Sequence, residues 1–210
     1  MSSRKAAFAD GWERACHLYS ELSSGGTVPF AAPTTVRLLP GEQTLADAHF
    51  GFERHMGRNV RAPVEAQRKD GLFRYGILPG AIIRATHNRK VRSRNKAWSE
   101  WAEREATPRW QHFGIARTVL TDRRILCDHN GWVIFNLDGV VELRPAPQTW
   151  YFELYFGDTA PLRLVGAMAP WCSIALASLL YGPNGLRLPG LEIFPGSAGQ
   201  PFPACPPVPK

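Results

Sequence analysis

The sequence predicts an α+β protein: a curved antiparallel β-sheet or barrel capped by one apolar C-terminal helix, with an extra N-terminal helix and an inserted basic helix. Three observations carry this. From Ile115 to Val165, five short extended runs recur at intervals of about ten residues, separated by Gly, Asn, Asp and Pro. One nearly all-apolar segment then spans about Pro170 to Tyr181. Between Asn88 and Glu105 the apolar period changes from that of a strand to that of a helix.

In chain order, Phe8, Trp12, Ala15, Cys16, Tyr19 and Leu22 recur at helical spacing, with charged residues on the other faces. This amphipathic helix is expected to cover the core, the alternatives being a partner-binding or membrane-surface role. It ends at the linker "SSGGTVPFAAPTT", so residues 1–35 form one segment. From Val36 the pattern is strand-like, with a Pro40-Gly41 turn and an extended run after it, and further short strands follow to about Ala85.

The helix at about 87–106 has Asn88 as N-cap, Thr107-Pro108 as stop, and Val91, Trp98, Trp101 and Ala102 as its apolar stripe. Its charges run against the helix dipole: Arg89, Lys90, Arg92, Arg94 and Lys96 precede Glu100, Glu103 and Glu105. The pairs Lys96–Glu100 and Glu100–Arg104 recover about 0.2–0.5 kcal/mol each. A helix charged in this sense points to a partner at its basic end.

Beyond it, "IARTVL" is a strand, Thr121-Asp122 starts a turn after which "RILC" continues it in extended form, and Asp128-His129-Asn130-Gly131 is a hairpin turn, because Asn and Gly tolerate positive φ. "WVIFNL", "VVELR", "TWYFELYF" and "PLRLV" complete the meander. In the third of these, Trp150, Phe152, Leu154 and Phe156 alternate with Tyr151, Glu153 and Tyr155, as in a strand buried on one face. The apolar helix begins at Pro170 and stops before Gly182-Pro183. Residues 183–210 read as a Pro/Gly-rich tail, disordered beyond about Gly196 and either solvated or a polyproline recognition segment.

The chain has 210 residues and a net charge of +7. From Arg84 to Lys96 there are six basic residues and no acidic one, whereas the remainder balances 19 basic against 18 acidic. The longest apolar stretch, Met168 to Tyr181, is 14 residues, too short to span a bilayer. Four isolated cysteines and the lack of a secretory leader lead us to expect a cytoplasmic protein with reduced thiols, peripheral at most on the inner membrane face.

The order of these elements, opened by "LLPGE" (Leu38 to Glu42) and containing "TDRRI" (Thr121 to Ile125), resembles the pleckstrin-homology-like superfold, and most closely small bacterial PH or GRAM-type domains. The resemblance covers about Val36 to Tyr181 and implies a domain at 36–182 that acts as a binding module. Such a domain needs only about 100–120 residues, so Arg58 to Trp110 reads as an insertion. The lysine/arginine signature of phosphoinositide-binding members is not matched by "ERHMGRNVR", so no lipid specificity is implied.

Motifs for catalysis do not emerge. There is no G-x-S-x-G, P-loop or dinucleotide fingerprint, and the six histidines lack H-E-x-x-H spacing. Cys127 and His129 alone do not make a zinc site, and Asp122 and Asp128 suit turn carboxylates better than a catalytic dyad. We therefore expect a non-enzymatic module with no cofactor and no metal. Arg84, Arg89, Lys90, Arg92, Arg94 and Lys96 are the candidate anion or partner contacts, with Trp98 and Trp101 as interfacial aromatics. The partner is an anionic lipid surface or a protein. The alternative is nucleic acid, held by phosphate contacts and stacking on the tryptophans, and a merely solvated basic face competes with all of these. Arg123 and Arg124 point to opposite sides of a strand, so they are expected to serve structure: one packs its stem on the sheet, the other lies in solvent or pairs with Asp122 or Asp128.

Overall fold

The computed structural model describes residues 3–31, 34–57, 96–97, 100–101 and 106–194. The chain divides into two compact units, one of Met1–His55 with Trp110–Lys210, the other of Met56–Arg109. The first is α+β: a curved antiparallel sheet of seven strands with two helices. In order these are α1 (Ser3–Ser23), β1 (Thr44–Met56), β2 (Arg109–Thr121), β3 (Arg124–Asp128), β4 (Trp132–Asn136), β5 (Val140–Ala146), β6 (Tyr151–Phe156), β7 (Leu162–Val165) and α2 (Ala169–Tyr181). In the second unit, residues 96–97, 100–101 and 106 are helical.

The strand order is β4-β3-β2-β1-β7-β6-β5, so two meanders meet where β7 returns beside β1. Gly51 to Arg54 of β1 face Val165 to Leu162 of β7, and β6 lies on the other side of β7 with Tyr151 opposite Val165. The turn residues do what their chemistry allows: Asn130 (φ 54°) and Gly131 (φ 119°) take the left-handed backbone that closes the β3–β4 hairpin. Gly114 in β2 has φ 112°, and after it Ile115 is 72% exposed while Ala116 is fully buried.

The concave face of the sheet carries Phe50, Phe52, Ala116, Leu120, Ile125, Phe135, Leu143, Phe152, Leu154, Leu162 and Leu164, all buried. Residues Ala169 to Ala177 of α2 are buried without interruption, which is why this helix has no polar face in the sequence. Against it packs α1, burying Phe8, Gly11, Trp12, Ala15 and Leu18. Burying Phe8 and Leu18 alone contributes about 2 kcal/mol each, so α1 belongs to the core it was expected to cover. Trp150 sits beneath it, fully buried in a left-handed conformation (φ 63°), with its ring edge-on to Phe8 at 4.6 Å and to Trp12 at 5.8 Å.

The Pro/Gly-rich stretch packs where it is described: Gly182–Arg187 forms a 3₁₀ turn, Leu191 is fully buried, and the Phe194 ring lies against Tyr19 and Trp12 of α1. Its Pro and Gly residues end helices and shape turns, but Leu186, Leu188, Leu191 and Phe194 give it enough apolar surface to pack. The reading of a disordered end beyond Gly196 lies outside the described residues.

Candidate functional site

Two adjacent arginines in the β2–β3 bend divide their work as strand geometry requires. Arg123 is exposed. Arg124, on the face of Leu126, has its side chain only 11% exposed and forms a two-pronged ion pair with Glu42, whose side chain is completely buried. Arg124 Nε donates to Oε1 at 2.8 Å and Nη2 to Oε2 at 2.9 Å. The Leu39 backbone N–H donates to Oε2 at 2.6 Å, and the Thr121 hydroxyl to Oε1 at 2.7 Å. Burial pushes the Glu42 pKa up, but the bonds from Arg124, Leu39 and Thr121 outweigh it and bring it down to about 2. The "LLPGE" and "TDRRI" stretches are thus two halves of one latch. The partner of Arg124 is Glu42 rather than Asp122 or Asp128; Asp122 instead exchanges bonds with the backbone of Gln43 at 3.0 and 3.1 Å.

Other cations of this unit are matched on the convex face in the same way. Arg117 binds Asp47 through Nε at 3.0 Å and Nη2 at 2.6 Å. Arg163 lies between Glu53 (3.1 Å) and Glu153 (2.6 Å) on the adjacent strands, with the rings of Trp110 and Tyr151 at 4.0 and 4.6 Å from its guanidinium carbon. This network explains why Glu153, an outward residue by alternation, is nonetheless buried. Arg144 binds Glu142 at 2.8 Å on the surface of β5.

Arg54 is different. It shares the inward register of Phe50 and Phe52 near the end of β1, and its guanidinium lies 4.8 Å from the Phe135 ring. Its Nε donates to Pro161 O (3.3 Å), and its Nη2 to Ala160 O (2.6 Å) and Thr159 Oγ1 (3.1 Å), all neutral acceptors in the β6–β7 turn. Among the described residues no carboxylate bonds to it, and burial lowers its pKa from the ordinary arginine value. Phe52, Phe113 and His129 form an aromatic cluster at the same end of the sheet, where β1 ends, the β3–β4 hairpin turns and β6 passes to β7.

The residues singled out in the sequence fall mainly elsewhere. Arg84, Arg89, Lys90, Arg92, Arg94 and Trp98 lie outside the described residues. Lys96 is helical, 78% exposed at its side chain, and 3.8 Å from Glu100, the pair its spacing predicts; Trp101 is 39% exposed. Charge separates sharply between the units. Met56–Arg109 carries 13 basic and five acidic residues, net +8, whereas the other unit carries 12 basic and 13 acidic, net −1. Sequence reasoning missed Arg54, whose one signal is that it keeps the step of two with Phe50 and Phe52.

Cys127 and Cys172 are buried free thiols, and burial pushes their pKa values up to about 11 and about 12. Cys127 accepts a bond from the Thr118 hydroxyl at 3.6 Å, and His129 stacks on Phe52. Both members of the Cys127/His129 pair are therefore engaged in packing. No helix among the described residues is long and apolar enough to cross a membrane. The chain matches no family model, no curated protein and no solved structure.

Proposed function

We propose that this is a non-enzymatic PH-like binding module that docks reversibly on an anionic membrane surface through its basic unit. The PH-like reading is supported by the strand order, in which β7 returns beside β1, by the single apolar helix that follows, and by the latch that joins the two resemblance motifs. One observation carries the docking reading: the sheet unit is nearly neutral and matches Arg117, Arg124, Arg144 and Arg163 to carboxylates, while the excess charge of the whole chain resides in Met56–Arg109. That unit is the β1–β2 connection in the chain. Polybasic segments gain about 1 kcal/mol per basic residue near an anionic leaflet. The six basic residues from Arg84 to Lys96 thus suffice for reversible attachment without a hydrophobic anchor.

Sedimentation with vesicles tests this. The protein should pellet with phosphatidylserine-containing vesicles and not with neutral ones, and added salt should release it. Changing Arg89, Lys90, Arg92, Arg94 and Lys96 together to Gln should abolish pelleting. Equal behaviour on both vesicle types, or salt-sensitive retention of oligonucleotides without vesicle binding, would overturn the reading.

A further inference from the structure

The sheet has two edges, and they are built differently. Along β5 a further strand is discouraged: the register slips between Val140 and Glu142, Glu142 and Arg144 place an ion pair on the surface, and Pro145 has no N–H to donate. None of these devices appears on β4. Its sequence "WVIFN" has no charge, no Pro and no Gly, and it pairs with β3 in unbroken register from Trp132 to Asn136. Among the described residues its backbone makes no bond beyond the β3 ladder. Trp132 is 43% exposed and Ile134 49% exposed, while Phe135 between core neighbours is 4% exposed.

The convex face says what would fit there. Val119 of β2 pairs with Leu126 of β3, and Leu126 with Ile134 of β4, giving one apolar row across three strands. Val119 and Leu126 are buried at 0% and 3%, so the row is covered until it reaches the edge at Ile134. Antiparallel pairing of β4 with another β4 about Ile134 would continue this row through Ile134, Leu126 and Val119 of the second copy. The same register sets Trp132 against Asn136 and Asp138 against Asn130, so no like charges meet. A two-fold axis through Ile134 satisfies both strands with one set of contacts.

We propose that β4 is a self-pairing edge through which two copies of this chain join their sheets, centred on Ile134. The exposed apolar side chains of β4 are Trp132 and Ile134, a small contact beside the total of about 1,200 Å² that marks stable interfaces. Association is therefore concentration-dependent. It stands independently of what the basic unit binds.

Sedimentation velocity on the full chain across a wide concentration series, at constant salt, reads this directly. The weight-average mass should rise from 23.4 kDa toward twice that value. Ile134→Lys places two like charges opposite each other at the axis and should weaken association at least tenfold, with a melting temperature close to that of the parent because the site is half-exposed. Ile134→Cys should form a disulfide-linked dimer under mild oxidation, since paired antiparallel strands bring opposed Cα atoms to about 4.5–5.5 Å; Trp132→Cys, set opposite Asn136, should not. A wild-type protein monomeric throughout the series, or an Ile134→Lys variant that associates as well as wild type, overturns the proposal. So does a monomer that captures an extended apolar peptide in place of its own copy.

Discussion

Replacing Arg124 by Met strips two charge-assisted hydrogen bonds from Glu42, a carboxylate whose side chain is completely buried. Two donors remain, the Leu39 N–H and the Thr121 hydroxyl, but the compensating charge is gone. Breaking a buried pair from one side costs about 3–5 kcal/mol. Because Arg124 is 11% exposed, water can partly replace it, so the lower end, about 3 kcal/mol, applies here. At roughly 2–4 °C per kcal/mol for a chain of this size, the melting temperature at neutral pH should fall by about 6–12 °C. Arg123→Met, at the exposed neighbour, should change it little. Removing both charges with Glu42→Leu and Arg124→Met should recover much of the loss, because no uncompensated charge is then buried.

The latch also has a pH signature. The folded-state pKa of Glu42 is about 2, below the ordinary value of 4.5. A carboxylate depressed on folding contributes stability that is fully present above the unfolded pKa and lost as pH falls toward the folded one. Wild type should therefore lose up to about 3 kcal/mol from this group between pH 4.5 and 2. Arg124→Met should lose less over the same window, since its lone carboxylate is better off protonated. Urea denaturation at pH 7, 4.5 and 3 measures both effects. An Arg124→Met variant as stable as Arg123→Met at pH 7 would refute the reasoning.

Two further outcomes follow from packing. A Cβ at Gly11 would collide with the backbone oxygen of Ala167, so Gly11→Ala should cost about 1–3 kcal/mol where an open helix site would gain about 1 kcal/mol. Thermal unfolding, with limited proteolysis of α1, reports it. Because burial raises the pKa values of Cys127 and Cys172 to about 11 and about 12, peptides containing them should resist alkylation at pH 8 until urea is added, as read by mass spectrometry, while the partly exposed Cys16 reacts at once.

Much of the first unit was legible because its signals are local. Alternation marked β3 to β7 within a residue or two, positive φ at Asn130 and Gly131 followed from their side chains, and Pro170 with Gly182 bracketed α2. The concentration of charge was equally plain, since it needs only counting. The candidate site was half legible: the basic residues could be named, but Arg54 looked like any polar residue in a strand. Its inward register matters only once β7 and the β6–β7 turn lie alongside.

By itself, then, the sequence determined α1, α2 and most of the strands from β2 to β7, where they turn, and which segment holds the excess charge, since each depends on residues within a few positions of one another; the strands expected up to about Ala85 lie outside the described residues. Only the tertiary structure decided that Glu42 holds Arg124, that Glu153 is buried by Arg163, and that β4, among the described residues, ends the sheet without the charge, Pro and register slip of β5. The physical reason is that strand periodicity and turn preference act along the chain, while ion pairing and edge exposure depend on which distant strands come to lie side by side.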